Sequence, residues 1–158
     1  MKRMVYDVSK FNYKYDATRQ SNKYYVDSEG RWVNHGEAVE AMLKWAYGLE
    51  AKKDPNTGYN EGSDIEKFKT SVKSPKFGLT SATLANTKDE YINKYFETTA
   101  SKNVAYGYIA GSELIVYWMK MEEFRDYLKE FSYMSQGRLR GNSLSNKMIN
   151  WFERRIAK

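Results

Sequence analysis

Residues 60–74 read Asn60-Glu61-Gly62-Ser63-Asp64-Ile65-Glu66-Lys67-Phe68-Lys69-Thr70-Ser71-Val72-Lys73-Ser74. An acid stands at position 64, and a lysine follows nine places later inside a short β-like run. The stretch reads as two short strands in a tight hairpin or bend. Alternation puts Ser71 and Lys73 on one face and Thr70, Val72 and Ser74 on the other. Pro75 and Gly78 then break the pattern.

Upstream lies a helix. Asn34 or Gly36 can cap it, and Val39, Met42, Leu43 and Ala46 recur at three- and four-residue steps, with Gly48 near the end. Glu37, Glu40 and Lys44 share its polar face. Residues 52–59, dense in turn formers, connect helix to hairpin. Before the helix, Tyr24-Tyr25-Val26 and Arg31-Trp32-Val33 read as short strands around Asp27-Ser28-Glu29-Gly30, and residues 1–30 otherwise have no clear period.

Downstream, Thr87-Lys88-Asp89-Glu90 has the form of a capping box opening a helix, with Tyr91, Ile92, Tyr95 and Phe96 on its apolar side. Residues 103–109 and 113–118 read as strands joined by Ala110-Gly111-Ser112. Two helices close the chain, one with Met121, Phe124, Leu128 and Phe131 on one face, the other with Leu144, Met148, Trp151, Phe152 and Ile156. Between them Gln136-Gly137-Arg138-Leu139-Arg140-Gly141-Asn142 is a short basic strand or loop. The order predicts an α/β or α+β fold, with a central mixed sheet flanked by helices. One domain is expected over 1–158, with a core over about 32–131 and a C-terminal helix over about 143–157.

The chain has 158 residues, long enough for one hydrophobic core. Lys and Arg number 26 against 20 Asp and Glu, a net charge of +6, which favours a polyanionic partner. Its 14 tyrosines and 4 tryptophans can complete a small core or stack on bases, as Tyr13, Tyr15, Tyr24 and Tyr25 could. Without cysteine there is no disulfide framework, thiol catalysis or thiolate metal site. No apolar run nears the roughly 20 residues of a membrane span, and the N-terminus lacks the apolar core of a signal peptide. A cytoplasmic protein with no membrane partner is expected.

His35 is the only histidine, so a His-rich zinc site is ruled out and any Ser-His-Asp arrangement would depend on it alone. No glycine-rich nucleotide loop occurs. Arg138 and Arg140, two apart, project from the same side of a strand, and arginine forks suit phosphate. Lys76 adds to this basic inventory, and His35 could touch phosphate or cap its helix. Arg154 and Arg155 complement a helix dipole. Structural roles also fit the acids and the lysine. Asp64 suits a turn, Lys73 a solvated strand edge, and Glu37 and Glu40 a helix start.

A helix glutamate, then an aspartate, then a strand ending in x-x-Lys resembles the PD-(D/E)XK (restriction endonuclease-like) nuclease superfamily, over roughly residues 36–120. The resemblance implies a metal-dependent DNA endonuclease that hydrolyses phosphodiester bonds with Mg²⁺ or Mn²⁺, and it allows a homodimer. Asp64 would be the metal aspartate, Lys73 the catalytic lysine, and Glu40 or Glu37 the helix acid. Ser71 occupies the slot usually held by an acid. In one group of restriction enzymes a neighbouring helix supplies that carboxylate, and here Glu66, Glu90 or the Glu37/Glu40 pair could do so. Arg138, Arg140, Lys76 and His35 are the candidate nucleic-acid contacts. The alternatives are a non-catalytic nucleic-acid-binding protein on the same scaffold, and an accessory or inhibitor protein of a mobile element.

Overall fold

In the computed structural model, residues 1–16, 24–49, 64–79 and 84–157 are described. The loop over 52–59 and the first residues of the opening stretch, 60–63, lie outside them.

A four-stranded mixed sheet organises the chain. Its strands are β1 (Lys2–Asp7), β5 (Thr70–Lys73), β6 (Asn103–Ala110) and β7 (Glu113–Lys120), in the order β1-β7-β6-β5. β6 and β7 form an antiparallel hairpin across Gly111 (φ 60°), and β1 pairs antiparallel with β7. β5 runs parallel to β6, which requires a crossover, and α2 (Lys88–Thr98) lies in that connection.

Alternation along the two long strands splits the core. Ala105, Ile109, Leu114 and Val116 pack on α1 (His35–Ala46) through Ala38, Val39, Met42 and Leu43. Gly107 lets α1 approach, since a Cβ there would stand 2.9 Å from Val39 Cγ1. Val104, Tyr106, Tyr117 and Met119 instead face α2, α3 (Met121–Phe131) and α4 (Asn146–Ile156). The residues of the two closing helices expected in the core are there, with Phe124, Leu128, Met148 and Phe152 fully buried.

Helix starts follow the caps read from sequence. The Asn34 side chain accepts from Glu37 N at 2.8 Å, and Thr87 from Glu90 N at 3.2 Å. Half of the expected box at Thr87 forms, because the Glu90 carboxylate turns to Asn86 N (3.4 Å) and to Lys94 Nζ (3.0 Å). Strands β3 (Tyr24–Val26) and β4 (Trp32–Asn34) pair as expected and join β2 (Lys14–Asp16) in a second small sheet. β1 has no counterpart in the sequence reading. As an edge strand it leaves Val5 41% exposed, which blurs its alternation.

The basic segment near 138 is a strand. β8 (Ser132–Ser135) and β9 (Arg138–Gly141) form a hairpin, and residues 77–79 run along the free side of β9. Gly78 bridges Arg140, Gly141 N donates to Phe77 O at 2.7 Å, and Leu79 N to Leu139 O at 3.1 Å.

Candidate active site

The hairpin expected over 64–73 forms in abbreviated shape. Ile65 bridges Thr70 antiparallel, a 3-10 turn over Glu66–Phe68 lies between, and Lys69 closes it at φ 48°. On this scaffold Val72 N donates to Asp64 Oδ2 at 2.8 Å. The contact ties the Asp64 carboxylate to the backbone one residue before Lys73, so the two side chains named from their spacing share one small region.

Lys73 ends β5. Burial pushes its ammonium below the ordinary lysine range, and the negative charges of Asp64 and then Glu40 oppose the fall. The residue as a whole keeps intermediate exposure. That ammonium lies 5.9 Å from the centroid of the Phe77 ring, a cation–π contact.

Glu40 reaches this region from α1. It is held by Lys44, one turn further along, at 2.9 Å. Lys44 is only 4% exposed, so this i,i+4 pair is no surface decoration. Gly36 brings the start of α1 close to the end of β5, with Ser74 Oγ 3.1 Å from where a Cβ would stand.

Ser71, in the acid slot, is buried, and its Oγ lies 2.6 Å from Ser101 Oγ. The Tyr95 hydroxyl completes this corner. Burial raises its pKa, a bond to Thr99 lowers it, the Asp64 charge raises it and a bond to Ser71 lowers it. The slot is filled by a hydroxyl network.

The other acids named from sequence have surroundings of their own. Glu37 lines a cleft of about 380 Å³ with Tyr13, Asp27, Arg31, Trp32 and Glu40. Glu66 is exposed on the 3-10 turn. Glu90 is engaged with Lys94 and Asn86 at the start of α2. Asp64 and Glu40 are therefore the carboxylates whose charges reach Lys73. Among the described residues no group of three or more His, Cys, Asp or Glu could hold a metal ion.

Of the candidate nucleic-acid contacts, Lys76, Arg138 and Arg140 come together. All three are exposed, and Lys76 N donates to Asn142 O at 3.2 Å beside β9. His35 lies apart at the start of α1, where its Nε2 accepts from Ile109 N at 3.4 Å and serves the backbone of β6. Phe77 joins the two regions. Its ring carries the Lys73 ammonium and lies beneath Gly141, where a Cβ would stand 2.4 Å from Phe77 Cε1. The Gly141→Ala variant is expected to displace that ring and lose about 1–3 kcal/mol, read as a lower urea midpoint. An unchanged midpoint would show that the ring moves without cost.

Lys44, Tyr95, Ser101 and Phe77 were not singled out as site residues. The spacing of Glu40 and Lys44 marked a pair, but no local signal shows that the pair is buried. Comparison with protein-family models, with curated proteins and with solved structures finds no match.

Proposed function

We propose that the protein is a metal-dependent phosphodiesterase acting on DNA, built on a restriction endonuclease-like core. The observation that carries this reading is the hydrogen bond from Val72 N to Asp64 Oδ2, which sets the Asp64 carboxylate beside Lys73 at the end of an edge strand. The order helix, hairpin, helix, parallel strand supports it, and so does the basic strip of Lys76, Arg138 and Arg140.

Asp64 and Glu40 are the residues that would hold Mg²⁺ or Mn²⁺. Two carboxylates fit such an ion, which takes one or two of them, keeps several waters and adds substrate phosphate. The ion would supply positive charge to the scissile phosphate and acidify a water. The chain's own groups do the rest. Lys73 orients the attacking water and faces the negative charge that develops on phosphorus. Lys44 restrains Glu40, and the Ser71–Ser101–Tyr95 network closes the position where a further acid would stand.

One observation favours a second reading. Ser71 is committed to Ser101 and brings no charge, which suits a protein that binds nucleic acid on this scaffold without cutting it. The two readings part in one assay. Supercoiled plasmid incubated with purified protein is expected to be nicked or linearised in Mg²⁺ and left intact when excess chelator is added. Cleavage that survives the chelator sinks the metal-dependent reading. Salt-sensitive binding with no cleavage in Mg²⁺ or Mn²⁺ selects the second.

A further inference from the structure

The β8–β9 hairpin turns through Gln136 (φ 53°) and Gly137 (φ 76°), a pair of positive φ values that marks a tight two-residue connection matched to strand twist. Its register sets Tyr133 opposite Arg140 and Ser135 opposite Arg138. Leu139, between the arginines, is fully buried, and Met134 packs against the core. The outer face of the ribbon therefore presents Tyr133, Ser135, Arg138 and Arg140. It carries no carboxylate. Arg140 forms no ion pair among the described residues, and its neighbour across the third strand is Gly78, where a Cβ would meet nothing within 4 Å.

We infer that this outer face reads base pairs in the major groove of duplex DNA, with Arg140 directed at guanine. With residues 77–79 alongside β9 the face is three strands wide, and at about 4.8 Å between strands its outer backbones lie about 10 Å apart, within a groove about 12 Å wide. Arginine forks match the O6 and N7 acceptors that guanine presents there. Flexible surface arginines would serve phosphate equally well, but these stand on a strand fixed through buried Leu139, and fixed geometry is what base readout needs. Lys76 at the flank is placed for the phosphate backbone. From Lys73 to Gly78, which bridges Arg140, the chain runs five residues, at most about 18 Å, so the lysine that meets phosphate lies within that reach of the strand beside the reading face.

The inference rests on the proposed function only for the choice of DNA, and its test needs no cleavage. Wild-type protein in chelator is used to select from a pool of random duplexes. Enrichment of a site with a fixed guanine is expected. Arg140→Ala is expected to lose about 10- to 100-fold in affinity for that site and little for unrelated duplexes. Replacing the guanine with 7-deazaguanine, which lacks the N7 acceptor, should weaken wild type similarly and add nothing in Arg140→Ala. The variant's melting temperature guards against loss of fold.

No enriched site, or equal weakening on every sequence, overturns the inference and leaves the ribbon as a phosphate contact. Tighter binding to an RNA duplex of the same sequence also overturns it, because A-form helices close the groove to side chains. Loss of plasmid cleavage alone bears on the nuclease reading, and a selected guanine site stands without it.

Discussion

Lys73→Met is expected to slow plasmid cleavage in Mg²⁺ by at least about 10²-fold, the scale seen when one preorganised group facing developing charge is removed. Methionine fills similar space without charge, so the change isolates the ammonium. The same variant makes a thermal prediction that activity does not. Burial lowers the pKa of Lys73 in the folded state, while the unfolded chain titrates near the ordinary 10.5. Between those two values the unfolded chain binds more protons, so wild-type stability rises with pH across that window. Below it, folding carries the full desolvation cost of the charged form. Lys73→Met should therefore melt no lower than wild type at neutral pH, and its advantage should shrink as pH approaches 10.5. Melting curves of both proteins from pH 7 to 10.5 test this. Parallel pH dependences would mean the ammonium is solvated, and the reading of Lys73 as an enclosed functional group would fall with it.

Phe152→Ala is expected to cost about 3–5 kcal/mol, a large share of the 5–15 kcal/mol that holds a typical domain together. Phe152 is fully buried and stacks on Tyr117 with centroids 4.3 Å apart and planes 14° apart. Its other face meets Tyr127 at 5.6 Å and 7°. Tyr127 stacks in turn on Phe124, their planes 10° apart. The ring thus ties α4 to the sheet through Tyr117 and to α3 through Tyr127. Neighbours fixed on two other elements leave little scope for the cavity to collapse. Equilibrium urea unfolding measures the loss. A cost below about 1 kcal/mol would show that α4 adds little to the core.

Legibility from sequence followed how local each signal was. Asn34 capping α1, and Val39, Met42 and Leu43 on its inner face, are legible because a helix repeats its instruction every turn. β6 and β7 are legible as apolar runs around Gly111. β1 is not, since an edge strand with Val5 turned outward leaves no clean alternation. At the site, spacing alone linked Asp64 to Lys73 and pointed to Glu40. The same spacing names Glu37, Glu66 and Glu90, of which Glu90 turns to its neighbours Asn86 and Lys94 and Glu37 lies in a cleft with Glu40. The burial of Lys44 and the approach of Tyr95 to Ser71 arise only when α1 and α2 close on opposite faces of one sheet.

The pairing of β1 with β7 also fixes an order of events in biosynthesis. Residues 2–7 leave the ribosome well before residues 113–118, their ladder partner among the described residues. At roughly 5–20 residues per second, the strand waits several seconds or more before that partner exists. During the wait the sheet can form between no strands but β5 and β6, and then only once α2 has been made. The nascent chain therefore carries an unpaired, partly apolar strand until β7 is made, and β1 finds its place only after β5 and β6 exist.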